Sequence, residues 1–301
     1  MKRFIRKTVL FLLPVIVLIS PMEPLLRNIP NDYSYKMEYL TDNSNTITKL
    51  FLGNSHAFSG INPDYISGNS FNAGHLLQTI DLDYKILTKF DNEWEKLKII
   101  TIPIDYATLF ASYKNRDDAY KKNYNIYYNM HLSYSLPSNF ELLSLRFRTN
   151  LKNIYSYYFH ETSFRTCSKL GYFDNKGKKF DLVESGKKTA LKYTIKDLSE
   201  LDNNLSLLEK FIDFATENNI KILFYTSPAY KTFVSNIDRS QMTITFEEMT
   251  KLANNNSNCT YINFFEDARF TSDDFRDCHH LNTDGATKFS LIMNELVSEV
   301  L

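Results

Sequence analysis

The sequence predicts an α/β fold, a three-layer sandwich whose five-stranded, mostly parallel sheet carries helices on both faces. Short apolar runs of strand length recur along the chain. They alternate with segments whose apolar residues return every three or four positions, the period of a helix packed on one side. The runs are also near-continuous rather than alternating, as strands covered on both faces must be. At 301 residues the chain can hold one such domain with a sizeable insertion.

The first element stands apart from the domain. MKRFIRK is followed by TVLFLLPVIVLIS, positive charge and then a short apolar run, which is the pattern of an export signal. No small-x-small cleavage site precedes Pro21, Met22, Glu23 and Pro24, so residues 1–27 read as an uncleaved signal-anchor and membrane helix. Lys2, Arg3, Arg6 and Lys7 then stay in the cytoplasm and the domain lies outside it. The alternative is a buried N-terminal helix of a soluble protein. Residues 28–45 read as a polar linker.

The α/β domain spans 46–301. Thr46 to Ser55 (TITKLFLGNS) forms a buried strand and a sharp turn, and Ser70 to Gly74 (SFNAG) a second, short strand. A helix follows from His75 to Phe90, with Leu76, Ile80, Tyr84 and Leu87 on one stripe. Leu97 to Asp105 (LKIITIPID) has the apolar continuity of a central strand. Alternation then stops. From 106 to 196 the chain is rich in Tyr, Asn and Lys, with a helix around Phe140 to Tyr158 and a Gly/Lys turn at Asn175 to Lys179; it reads as an insertion. Its aromatic side chains suit stacking on sugar rings or packing on one another. The regular pattern resumes with a helix through Leu201, Leu205, Leu208, Ile212 and Ala215, a strand Lys221 to Pro228, a helix near Phe246 to Ala253, and a strand Thr260 to Phe265. A final helix carries Ala286, Phe289, Met293, Leu296 and Val300.

Charge and cysteine content narrow the class. Thirty-five basic and 35 acidic side chains balance without basic runs, so the electrostatic footprint of a nucleic-acid binder is missing. Cys167, Cys259 and Cys278 are too few for a disulfide scaffold; they read as separate thiols, with Cys259 and Cys278 the one pair suited to oxidation.

Two motifs carry chemistry. Gly53-Asn54-Ser55-His56 follows the first strand, where parallel sheets expose reactive groups. A serine in such a turn presents its hydroxyl while nearby backbone N–H groups can face an oxyanion. Asp277-Cys278-His279-His280-Leu281-Asn282 precedes the last helix. A serine nucleophile needs a base, and the base an acceptor that fixes its tautomer; His280 and Asp277, three apart, can serve. Read singly, Ser55 caps a helix and Asp277 and His280 solvate a loop. Asn282, Thr283 or Asp284 can cap the final helix. His56 reads as a wall of the turn, His75 as a core or surface residue, and His279 as a solvated neighbour. With no H-E-x-x-H or C-x-x-C pattern, no metal or other cofactor is expected.

The order Ser after the first strand, F-N-A-G after the second and D-x-x-H-L-N before the last helix resembles the SGNH/GDSL hydrolase superfamily, over roughly Thr46 to Gly74 and Asn258 to Leu301. The resemblance implies a flavodoxin-like sheet, Ser55 as nucleophile, His280 as base, Asp277 as its orienting group and the Gly74 N–H as oxyanion donor. Asn54 stands where the family's first block has Asp. The family's third-block asparagine is replaced by I-P-I-D-Y, which leaves Asn54 or Tyr106 as substitute donors. With its anchor, the chain looks like the exported cell-envelope branch, which includes the D-alanylation protein of teichoic-acid synthesis and polysaccharide O-acetylation proteins. That implies serine-dependent acyl transfer on an envelope polysaccharide or acyl ester, with a membrane-bound O-acyltransferase as partner. The alternative is a non-catalytic envelope scaffold that keeps the fold. A soluble cytoplasmic lipase fits the N-terminus less well.

Overall fold

The computed structural model describes every residue except Lys178 and Lys196, and in the first helix it leaves out the side chains of Val9, Leu12, Val15, Ile16 and Leu18. The expected turn at Asn175 to Lys179 and the insertion's end at Lys196 therefore fall partly outside the described residues.

Five strands form one sheet: β1 (Lys49–Phe51), β2 (Ser70–Asn72), β3 (Ile99–Pro103), β4 (Lys221–Thr226) and β5 (Cys259–Asn263), in the order β2-β1-β3-β4-β5. Every pairing is parallel, with Phe51 opposite Asn72 and Thr101, and Thr101 opposite Leu223. Side chains alternate between faces. Phe51, Ile99, Leu223 and Tyr225 meet Ala286, Phe289, Met293 and Val297 of the last helix, Thr283–Val300. The helices Ile80–Lys89 and Leu201–Glu217 pack together through Tyr84 and Phe211, and the second also contacts β4. The crossovers out of β1 and β3 leave in opposite directions, so a crevice opens at the carboxyl ends of these two neighbours.

Two expected elements differ. The helix expected from His75 starts at Ile80, because Leu77 takes a left-handed φ of 60° and Thr79 is extended. Leu76, placed on the stripe by its spacing, is exposed. The stretch 28–45, read as a linker, contains the helix Asp32–Asn43, with Lys36 and Leu40 fully buried and Tyr39 stacked on Phe71 of β2.

The chain divides into two compact units, one of residues 1–38 and 116–166, the other of 39–115 and 167–301. Only part of the expected 106–196 insertion leaves the sheet unit. Residues 167–196 stay with it because Leu170 accepts from Asn72 N–H, Phe173 donates to the Phe58 carbonyl, and Ala190 packs beside Phe233. The other unit is helical and packs on its own tyrosines: Tyr124 and Tyr128 are fully buried, and Tyr33 meets Tyr124 edge to face. A buried Lys122–Glu141 pair at 2.7 Å and the Glu23 carboxylate, which accepts from Glu141 and Leu142 N–H, tie its segments together. The N-terminal run forms the helix Lys2–Ile19. Among the described residues no helix is long and apolar enough to cross a membrane.

Candidate active site

The nucleophile turn begins where β1 runs out. Gly53 has φ +115°, and a Cβ there would come 2.4 Å from Pro103 of β3, so only glycine fits. Its N–H donates to Asp83 (2.7 Å) and its carbonyl accepts from His75 N–H (3.1 Å), which anchors the turn to the segment after β2. Asn54 then caps the one-turn helix Ser55–Phe58, its side-chain oxygen accepting from His56 N–H at 2.8 Å. Ser55 thus occupies the first helical position, where the N–H has no acceptor within the helix.

The partner loop is closed by its own backbone. Phe275 and Leu281 bridge antiparallel, Arg276 N–H donates to the His280 carbonyl, and Asn282 caps the last helix through Gly285 N–H. Asp277 accepts the N–H groups of both His279 and His280. These bonds hold His280 in place. Its Nε2 lies 2.8 Å from Ser55 Oγ and its Nδ1 3.0 Å from Asp277 Oδ2, so two stretches 225 residues apart meet at one rim of the sheet. A proton on Nδ1, facing the carboxylate, leaves Nε2 as acceptor for the serine hydroxyl.

Burial and nearby charge shift the titration of these groups in opposing senses. Desolvation would raise the Asp277 carboxyl, but bonds from His279 and His280 outweigh it and hold the acid well below the usual carboxylate range. Burial lowers His280 below its ordinary 6.5 despite Asp277, with His56 adding repulsion. His279 falls to about 3, from burial and then the neighbouring His280.

A second carboxylate–histidine pair, which sequence reasoning missed, adjoins the first. Asp105, at the end of β3, places Oδ2 2.5 Å from His56 Nδ1, while Oδ1 accepts from Ser227 N–H. Burial works against charge on both, but each outweighs it for the other: His56 is raised above 6.5 and Asp105 lowered. The His56 ring stands 4.9 Å from that of His280. Its Nε2 is buried and, among the described residues, has no well-formed hydrogen bond, although the backbone of His279 lies close enough to favour the charged ring. The available signal was a carboxylate at the third block's position and a histidine next to the serine.

The other residues singled out from sequence take different places. The Gly74 N–H donates to Asn72 Oδ1 at 3.0 Å, and a Cβ on Gly74 would meet the Gly53 carbonyl at 2.9 Å, so this glycine permits close packing behind the turn. The Asn54 amide points toward Asp105 and Thr108, at 3.4 Å from each. Tyr106 is held by other partners: its hydroxyl accepts from Asp238 N–H and bonds Thr194, and its ring packs on Phe233. It offers no oxyanion donor because that hydroxyl already has partners. Ring nitrogens of His56, His279 and His280 come within 4.8 Å of one another. Such a set can hold a transition metal, but an ion there would take the lone pair that Ser55 uses. Cys259 and Cys278 remain buried, separate thiols.

No family model matches the chain, and no curated protein does. The solved structures it is similar to include three proteins. A Bacteroides fragilis protein described as a candidate acylhydrolase shares 12% identity, with 90% of this chain and 100% of that one covered at a TM-score of 0.42. A GDSL-like lipase from Bacteroides thetaiotaomicron shares 11%, with 89% and 100% covered at 0.41. A Streptococcus pneumonia protein described as a candidate platelet activating factor shares 11%, with 97% and 99% covered at 0.45. At this distance they are likenesses only, and the site must be read from its own atoms.

Proposed function

We propose that this protein carries out serine-dependent acyl transfer through a covalent acyl-Ser55 intermediate, as an ester hydrolase or an O-acyltransferase. The observation that carries the reading is the unbroken chain from Ser55 Oγ to His280 Nε2 and from His280 Nδ1 to Asp277. In the first half-reaction Ser55 Oγ attacks an ester carbonyl as its proton passes to His280 Nε2. The tetrahedral adduct collapses, and the leaving alcohol takes that proton away. In the second half, His280 deprotonates a hydroxyl, of water or of a sugar, which attacks the acyl-serine and restores Ser55. Asp277 holds the imidazole in the productive tautomer throughout.

The oxyanion needs donors. Ser55 N–H is one, and the His56–Asp105 pair occupies the place of the third-block amide. An imidazolium beside the nucleophile, its buried Nε2–H only weakly engaged by the His279 backbone, would make its stronger hydrogen bond when the oxyanion forms, which favours the transition state over the ground state. The export-like N-terminus supports a setting outside the cytoplasm, held to the membrane by the first helix, with an envelope polysaccharide as acceptor. A membrane-bound O-acyltransferase would then deliver the acyl group, and tethering would raise its local concentration.

The test is reaction of the folded, full-length protein with a fluorophosphonate probe. Labelling of wild type but not of Ser55→Ala supports the reading. A folded wild type that stays unlabelled would instead favour a non-catalytic scaffold.

A further inference from the structure

The helical unit of residues 1–38 and 116–166 carries an apolar surface that nothing in the proposed chemistry requires. The helix Phe147–His160 buries only Asn150 fully, with Ile154 and Tyr157 partly covered. At 100° per residue, Phe147, Tyr158, Leu151, Tyr155 and Phe159 fall on one stripe about 120° wide; Asn150 and Tyr157 lie off it, and the partly covered Ile154 borders it beside Phe147. These five side chains are between 41% and 72% exposed. Leu143 and Leu145, just before the helix, are exposed as well. An apolar face of this extent is expensive to leave in water.

Its composition indicates the occupant. Arg148, exposed, lies on the stripe between Tyr155 and Phe159, and exposed Lys152 lies at its edge beside Phe159, with Arg146 at the helix start. Aromatic rings set between arginines and lysines match the boundary of a bilayer, where rings sit at headgroup level and long cationic stems reach the phosphates. A dry protein interface would deplete lysine at this position. The location agrees. Leu25, at the end of the short helix Met22–Arg27 that follows the N-terminal helix, accepts at its carbonyl from the Tyr158 hydroxyl (3.1 Å). The same short helix contacts Phe147–His160 and the turn Glu141–Ser144. The N-terminal helix exposes Phe4, Leu10, Phe11 and Val17 in the same unit.

We propose that the helix Phe147–His160 lies in the headgroup layer of an anionic membrane, its Phe147–Leu151–Tyr155–Phe159 stripe directed toward the acyl chains. The surface is independent of the chemistry at Ser55 and adds a second membrane contact to any supplied by the N-terminal helix. Ordering of this unit against lipid follows from geometry: the chain leaving the N-terminal helix is bonded to the helix that bears the stripe.

The test uses the full-length chain in vesicles of phosphatidylcholine with phosphatidylglycerol. Single cysteines replace Leu151, Tyr155 and Thr149 and carry a spin label; the three native cysteines are buried. Labels at 151 and 155 should favour oxygen over a water-soluble nickel chelate, at a depth of about 5–10 Å below the headgroups. The label at Thr149, off the stripe, should stay accessible to the chelate. Charge reversal of Arg148 and Lys152 to Glu should bring the stripe labels toward the Thr149 pattern without unfolding the protein. Equal chelate access at all three positions in membrane-bound protein would overturn the proposal. So would dipolar broadening between stripe labels or shielding from both reagents, which would identify a second copy or a protein partner as the occupant.

Discussion

The two carboxylate–histidine pairs at the sheet rim differ more in charge than in geometry. Asp277 divides its two oxygens between His279, His280 and their backbone N–H groups. Asp105 gives Oδ2 to His56 at 2.5 Å and Oδ1 to one backbone N–H. Burial lowers the basicity of every ring involved. It prevails for His280, whose carboxylate serves two rings, and loses for His56, whose carboxylate serves no other ring and lies closer, at 2.5 Å. Two similar pairs side by side are thus biased in opposite senses, one ring toward the neutral form and the other toward the charged form, as the proposed acyl transfer requires.

Breaking the first pair should have the largest effect. Ser55→Ala or His280→Ala is expected to lower ester turnover on the order of 10⁴-fold or more, with circular dichroism unchanged. Breaking the second should cost less: His56→Ala is expected to reduce kcat by about 10²–10³ with little change in KM, the signature of a lost oxyanion donor. Asp105→Asn should act in the same direction and more weakly, because the ring remains. Loss of KM alone in either variant would assign the pair to substrate binding.

The pH profile sharpens the contrast. His280 must be unprotonated to act, so activity should rise with pH through a limb below 6.5, set by its lowered pKa. His56 must keep its proton, so activity should fall again through a limb above 6.5. Asp105, Asp277, His279 and His280 are the charged or titratable groups that face it, and of these Asp105 dominates. In His56→Gln the upper limb should vanish, and the lower one should move up as a repelling charge is removed.

The smallest effect concerns stability. Burial raises Asp83, which accepts from Gly53 N–H, to about 8. An acid whose folded pKa is raised contributes its full stability below the ordinary 3.8 and loses it as pH climbs toward 8. Asp83→Asn keeps an acceptor for Gly53 without that loss. Its Tm should exceed wild type by a few degrees near pH 8 and match it or fall below near pH 4.

The parts legible in the sequence were those specified by short stretches. The strands could be read because burial on both faces writes continuous apolar runs, and the last helix because Ala286, Phe289 and Met293 share one face. Ser55, Asp277 and His280 could be singled out because each sits in a local motif at a strand or helix end. What depended on a distant partner could not be read. His56 looked like a wall of the turn because its carboxylate lies 49 positions away. Tyr106 looked available because Asp238 and Thr194, which engage its hydroxyl, lie on later segments. The helix Asp32–Asn43 was hidden by polar composition, since contacts such as Tyr39 on Phe71 form only in the fold. The start of the Ile80 helix was hidden by Leu77, whose left-handed backbone its residue type does not announce.

The most direct measurement is to trap the intermediate. The full-length protein is mixed briefly with p-nitrophenyl acetate, quenched in acid and mapped by peptide mass spectrometry. An acetyl group on the peptide containing Ser55, absent in Ser55→Ala and much slower to form in His280→Ala, is the expected result. Ester turnover that leaves Ser55 unmodified and persists in Ser55→Ala would contradict the role assigned to this serine.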